Sequence, residues 1–222
     1  MKILLSWSSG KDSAWALHRL RETHPGAVAG LLTTMNEDAG RVAMHAVRES
    51  LVRDQAAAAD LPLHLVRIPS PCPDEIYAAR MAAFLREAVA RGYTHVAFGD
   101  LFLEDVRRYR EDRMRGTGLD PLFPLWGSST PALAEEMIDS GLRAYLTCVD
   151  PRVLDARFAG RAFDRALLDE LPPSVDRCGE RGEFHSFVWD GPMFARPLDV
   201  APGVIVERGG FVFADVVSRR GG

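Results

Sequence analysis

The chain has 222 residues, 47% of them hydrophobic and 26% charged, with a formal net charge of -4. That is enough for one large domain, or a domain with a lobe, to bury an apolar core without covalent staples, and the acidic balance gives a nucleic-acid backbone no whole-chain attraction. Cys72, Cys148 and Cys178 are far apart and form no CxxC, which argues against a disulfide framework or a zinc site and suits a reducing, cytoplasmic compartment.

In chain order, Ile3–Trp7 reads as a buried strand and Ser13–Arg21 as a helix with Trp15, Ala16, Leu17 and Leu20 on its apolar face. Ala27–Thr33 reads as a strand, Val47–Ala59 as a helix and Leu63–Ile68 as a strand closed by Pro69 and Pro71. Glu75–Arg91 is a long helix ended by Gly92, and Thr94–Phe98 a fourth strand. This alternation predicts an α/β fold, a doubly wound parallel sheet with helices on both faces. Leu103–Arg115 is charged and helical in composition, followed by turn residues Pro121, Pro124 and Gly127. Thr130 is placed to cap a helix to Ser140 with Pro131 at its first position. Leu142–Val149 is a fifth apolar run, and Phe163–Leu171 a helix stopped by Pro172 and Pro173. Short β-like pieces follow at Phe184–Val188, Val204–Glu207 and Phe211–Val217. The change of pattern divides the chain into residues 1–120 and a smaller α+β lobe, 121–222. The start of the chain is too short an apolar run for a signal-peptide core, and no run approaches the ~20 residues that span a membrane.

The sharpest motif is Ser6-Trp7-Ser8-Ser9-Gly10-Lys11-Asp12-Ser13, between the first strand and the first helix. A strand–loop–helix junction aims unpaired backbone N–H groups and the positive end of the helix dipole at whatever fills the loop. Ser8, Ser9 and Ser13 add hydroxyls and Lys11 a charge, so the loop suits an anion. It is not a Walker A loop, G-x-x-x-x-G-K-[ST]: Leu5 stands where the first glycine is required and Asp12 follows the lysine. A Ser/Gly turn with a chance lysine is the alternative reading. If Ser9 needs a positive φ, its side chain costs on the order of 1 kcal/mol there.

Phe98-Gly99-Asp100 follows the fourth strand, at the end of the sheet where ligands of such folds bind. Gly99 would let the backbone approach a nucleotide, and Asp100 could hold Mg²⁺ or orient an amine; a plain turn is the alternative. Glu104 and Arg107 belong to a charged stretch that would wall the ligand, although Glu104 with Arg108 and Arg107 with Glu111 are also spaced to pair along a helix surface. The run from Cys178 to Phe194 gathers Glu180, Glu183 and His185 among glycines. Glu183 and His185 alternate with Phe184 and so are expected on one face of a strand, able to steer ammonia, accept a proton or bind metal. A polar edge strand is the competing reading.

The loop resembles the SGGKDS signature of the PP-loop ATP pyrophosphatases, with Ser9 where that signature has glycine. The run Glu180-Arg181-Gly182-Glu183-Phe184-His185-Ser186 is similar to the EGGEYET motif of one branch of them, the diphthine–ammonia ligases and their bacterial relatives. Both outer acids and the second glycine are kept, and His185 stands in place of the third acid. The ligases' Tyr-Gln pair is here Asp105-Val106, so the substrate motifs match a bacterial subtype better. The resemblance runs from Lys2 to about Phe194. It implies a HUP-like fold and an ATP-dependent ligase that adenylates a carboxylate and transfers ammonia to it, releasing AMP and pyrophosphate. It implies ATP and Mg²⁺ as cofactors, with Ser6, Ser8, Ser9, Gly10, Lys11, Asp12, Ser13, Thr33, Gly99 and Asp100 on the nucleotide side and Asp100 at the metal. Lys11, Asp12, Glu183 and His185 are then the catalytic set, and Glu104, Arg107, Glu180, Glu183 and His185 meet the acceptor. A tRNA-modifying enzyme of the same superfamily and a non-catalytic nucleotide sensor stay open as alternatives, as does a homodimer; neither a membrane nor a nucleic-acid partner is expected.

Overall fold

The computed structural model describes residues 1–37, 40–42 and 47–219. Five parallel strands form the first sheet: β1 (Ile3–Ser6), β2 (Val28–Asn36), β4 (Leu63–Ile68), β5 (His95–Ala97) and β6 (Asp120–Leu122), in the order β4-β2-β1-β5-β6. A two-residue strand, β3 (Arg41–Val42), pairs antiparallel with the end of β2. The helices between them are α1 (Lys11–Thr23), α2 (Glu49–Ala58), α3 (Asp74–Ala90) and α4 (Glu104–Met114). Burial alternates along β1: Ile3 and Leu5 pack with Trp15 and Leu17 of α1 and Val52 of α2, while Leu4 packs with Leu85 of α3 and Met114 of α4. The sheet is therefore covered on both faces, as parallel sheets require.

The second sheet is antiparallel, with strands β7 (Arg143–Val149), β8 (Phe184–Asp190), β9 (Val200–Arg208) and β10 (Phe211–Ser218) in the order β8-β7-β10-β9. Gly209 and Gly210, both at positive φ, turn the β9–β10 hairpin. Helices α5 (Thr130–Asp139) and α6 (Arg165–Glu170) accompany it. Phe158, Phe163, Phe184 and Phe187 of this part share one continuous core with Leu5, Trp7 and Trp15 of the first. The fold is thus α/β, a mostly parallel HUP-like sheet with a smaller antiparallel lobe.

Several local expectations shift. β3 and β6 are strands that the sequence pattern does not reveal, because each is only two or three residues long and paired by tertiary contact. The chain division expected at residue 120 falls at the start of β6. Ser129, not Thr130, occupies the cap position of α5; the Thr130 hydroxyl donates instead to Asp176 at 2.5 Å. Among the described residues no helix is long and apolar enough to cross a membrane.

Candidate functional site

The chain runs from β1 to β2 on one side and later returns to place β5 on the other side of β1. The loops leaving β1 and β5 diverge there, which opens a crevice at the carboxyl ends of the strands. Two adjoining cavities occupy it. One, of about 260 Å³, is polar and lined by Ser8, Lys11, Asp12, Ser13, Asp100 and Glu180 among others. The second, of about 500 Å³, is mostly apolar and lies between the sheet and α3 and α4, with Leu32, Thr34, Tyr77, Met81, Val96 and Met114 in its wall. Ser6, Ser8, Phe98, Arg110 and His185 line both.

The Ser6–Ser13 loop is held from three directions. Trp7 donates its indole N–H to Oε1 of Gln55 (2.9 Å), and Gln55 Nε2 donates to the carbonyls of Ser9 (3.0 Å) and Val188 (2.6 Å). The amide of Val188 donates to the same Ser9 carbonyl, at 3.0 Å, and the amide of Lys11 donates to the Ser186 hydroxyl at 3.1 Å. Ser13 donates its hydroxyl to the Gly10 carbonyl at 2.9 Å. Ser9 has φ +74°, the left-handed conformation that glycine adopts freely. Its hydroxyl is buried and has no hydrogen-bond partner, so Ser9 shapes the turn and does not reach the cavity. Gly10 is the cap of α1 and offers no side chain to compete for the helix's first amides.

Lys11 is 2% exposed. Its ammonium donates to both Asp12 carboxylate oxygens, at 3.0 and 2.9 Å, and to the Cys178 carbonyl, and it lies 5.4 Å from the centre of the Phe184 ring. Burial works to lower its pKa, but Asp12, Cys178 and Glu180 together raise it, so the charge is kept. Three carboxylates share the polar cavity. Burial raises the pKa of Asp100, Arg110 opposes the rise, and Asp12 adds to it. Burial raises that of Glu180 to about 7, with Asp12 and Asp100 adding to the rise and the Leu101 amide, 2.8 Å from Oε1, opposing it. His185 is driven down to about 4, first by burial and then by Lys11, and is therefore neutral near pH 7.

Several sequence-based assignments move. Thr33 turns its hydroxyl to the Trp7 carbonyl at 2.7 Å and is buried beneath the loop; Thr34, on the opposite face of β2, lines the apolar cavity. Gly99 does line the polar cavity, and its smallness also serves the contact between β5 and α1, since a Cβ there would lie 2.9 Å from the Asp12 carbonyl carbon. Glu183 precedes β8 and does not line either cavity. Its two oxygens accept from the amides of Asp176 (2.9 Å) and Arg181 (3.0 Å), bracing the loop that carries Glu180. Glu104 and Arg107 also lie outside the cavities. Arg107 pairs with Glu111 at 2.8 Å and packs over Phe123 and Trp126. Arg110, one turn farther along α4, lines the crevice instead. Sequence reasoning missed Gln55 and Arg110. Gln55 carries no local signal, because its three partners are 46 or more residues away. For Arg110 the sequence shows only one arginine among several on a charged helix; its position along α4 relative to the sheet sets it at the crevice.

No group of three or more His, Cys, Asp or Glu among the described residues is arranged to hold a metal by itself. The crowded carboxylates nevertheless suit a cation that completes its shell with phosphate oxygens, as Mg²⁺ commonly does.

Residues 129–212, from α5 into β10, match the family model described as the diphthamide synthase C-terminal domain. The chain is 32% identical over 124 residues to the diphthine–ammonia ligases of Bos taurus and Homo sapiens, covering 53% of this chain and 46% of each of those proteins. It is 34% identical over 120 residues to that of Danio rerio, covering 51% of this chain and 47% of the relative. The chain thus spans about half the length of the curated relatives it matches.

Proposed function

We propose, from the premise that this chain is of the diphthine–ammonia ligase-like family, that it binds ATP at the Ser6–Ser13 loop, adenylates a carboxylate and passes the acyl group to ammonia. The observation that carries this reading is the pair of cavities meeting beside the loop, one polar and one apolar. A nucleoside triphosphate has the same division, an apolar base end and an anionic tail. The adenosine occupies the apolar cavity, and the β- and γ-phosphates lie against Ser8, Lys11, Ser13 and the start of α1. Residues 1–120 would hold the nucleotide and 121–222 would present the acceptor.

In the first step an oxygen of the acceptor carboxylate attacks the α-phosphorus while the bond to the β-phosphate breaks and pyrophosphate departs. The protonated Lys11 stabilises charge on that leaving group, which requires its ammonium to turn from the Cys178 carbonyl toward the phosphates. Asp100, with phosphate oxygens, would hold Mg²⁺, which neutralises phosphate charge when bound. In the second step ammonia attacks the acyl carbon, AMP leaves, and a proton must be taken from nitrogen. Glu180, which lines the polar cavity and titrates near neutrality, is suited to accept it. Glu183 holds the loop that positions it.

The test is direct. The protein is incubated with ATP, Mg²⁺, ammonium and a panel of carboxylic acids, and pyrophosphate and AMP are measured. Acid-dependent release that falls about 100-fold or more in Lys11→Ala is expected, since one charge donor to a leaving group contributes on that scale. ATP binding without release for any acid would favour a sensor, and no ATP binding would overturn the reading.

A further inference from the structure

We infer that Arg110 grips the α-phosphate of the bound nucleotide, exchanging its resting partner Asp100 for that phosphate as the reaction complex forms. This rests on the ATP reading above and adds to it a residue for the reacting centre itself.

The place follows from the two cavities. If the base end fills the apolar cavity and the pyrophosphate end the polar one, the α-phosphate lies where they meet. Five residues line both: Ser6, Ser8, Phe98, Arg110 and His185. Ser6, Ser8 and Phe98 carry no charge, and His185 is neutral near pH 7. Arg110 is therefore the one cation among them. Lys11 lines the polar cavity alone, so the two cations divide the phosphates between them.

The resting contacts of Arg110 leave it available. Its Nε reaches Asp100 Oδ2 at 3.4 Å, a long contact for a charge-assisted hydrogen bond, which is normally 2.7–2.9 Å. The guanidinium stacks over Phe98, 5.0 Å from the ring centre. That packing fixes the plane of the group while leaving its donors at the edge, the form in which arginine recognises phosphate bidentately. Burial makes the Asp100 carboxylate costly, Arg110 only partly offsets this, and Asp12 adds to the cost. A phosphate entering the junction offers Arg110 a better acceptor, and Asp100 is released toward a cation. The helix puts the neighbouring arginine to different use: Arg107 is bound to Glu111 and clasped by Phe123 and Trp126.

Small probes separate the phosphates. AMP carries only the α-phosphate, adenosine carries none, and pyrophosphate carries only the tail. Binding of each is measured by calorimetry to the wild type, Arg110→Gln, Arg110→Lys and Lys11→Ala. The wild type is expected to prefer AMP to adenosine. Arg110→Gln should cut that preference about tenfold or more, the scale of one charged hydrogen-bonding partner, while pyrophosphate affinity stays within about threefold. Arg110→Lys should restore part of it, and Lys11→Ala should show the reverse pattern. Pyrophosphate release should fall through kcat in Arg110→Gln, a split that loss of packing alone would not give. An unchanged AMP preference in Arg110→Gln overturns the assignment while leaving the ATP reading intact. A wild type that binds neither AMP nor pyrophosphate nor ATP overturns both.

Discussion

The backbone amide of Val188, in the second sheet, donates to the carbonyl of Ser9, in the loop after the first strand, at 3.0 Å. The smaller lobe thereby holds the anion loop in place, and Gln55 completes the clasp by bonding both carbonyls and the Trp7 indole. Replacing Gln55 by Ala leaves a buried N–H and a buried carbonyl without partners. A loss of about 2–4 kcal/mol is expected by chemical denaturation, with weakened ATP affinity. A change below about 0.5 kcal/mol, the level of an ordinary surface substitution, would show that the clasp does not hold the loop.

Ser9 stands at φ +74° with its hydroxyl buried and unpartnered. Glycine removes both costs, so Ser9→Gly should stabilise the protein by about 1 kcal/mol or more. An increased denaturation midpoint with unchanged denaturant slope is the expected result. A lower midpoint would mean that the serine supports the turn in a way its contacts do not reveal.

Gly99 faces the backbone of Asp12 and Ser13, where an added Cβ would come within 2.9–3.1 Å of three main-chain atoms. Main chain at the start of a helix cannot swing aside as a side chain can. Gly99→Ala should therefore cost about 1–3 kcal/mol and lower ATP affinity by shifting the first turn of α1. Wild-type values for both quantities would contradict this packing argument.

Burial pushes the Glu180 carboxyl up to about 7 in the folded protein, from an ordinary 4.5. Between those values the folded state binds the extra proton, so stability falls as pH rises through this window and the loss is complete above about pH 7. Glu180→Gln, which keeps an acceptor for the Leu101 amide, should remove that slope and gain about 1–3 kcal/mol at pH 8, after allowance for partial exposure. Catalysis should move the other way. At a constant concentration of free ammonia, amide formation needs the ionised carboxylate, so its rate should rise with pH through about 7 in the wild type and be slow and flat in the variant. A variant that keeps the wild-type pH–stability slope would show that Glu180 does not carry it.

The order of the long elements could be read from the sequence because each depends on neighbours in the chain. Leu63–Ile68 is the strand expected, and the helix of Glu75–Arg91 is observed as Asp74–Ala90, since hydrophobic period and local stop signals act within a few residues. The loop at Ser6–Ser13 was readable for the same reason: its strand, glycine and lysine adjoin one another. β3 and β6 were not, being too short to show a period. The site was legible only in part. Lys11, Asp12, Asp100, Glu180 and His185 line one cavity.

By itself, the sequence determined that a strand–loop–helix junction rich in small hydroxyls opens an α/β chain, and that a second acid- and glycine-rich run follows far downstream. The tertiary structure decided which side chains of those runs face the crevice. Glu180 enters and Glu183 braces; Arg110 enters and Arg107 is clasped; Thr34 faces the cavity and Thr33 the loop. Residues next to each other on a strand, or three apart on a helix, differ in direction by an amount fixed locally. Where that direction leads depends on the packing of β8 against the β1 loop and of α4 against the sheet, contacts made between residues too far apart in sequence for any local pattern to encode.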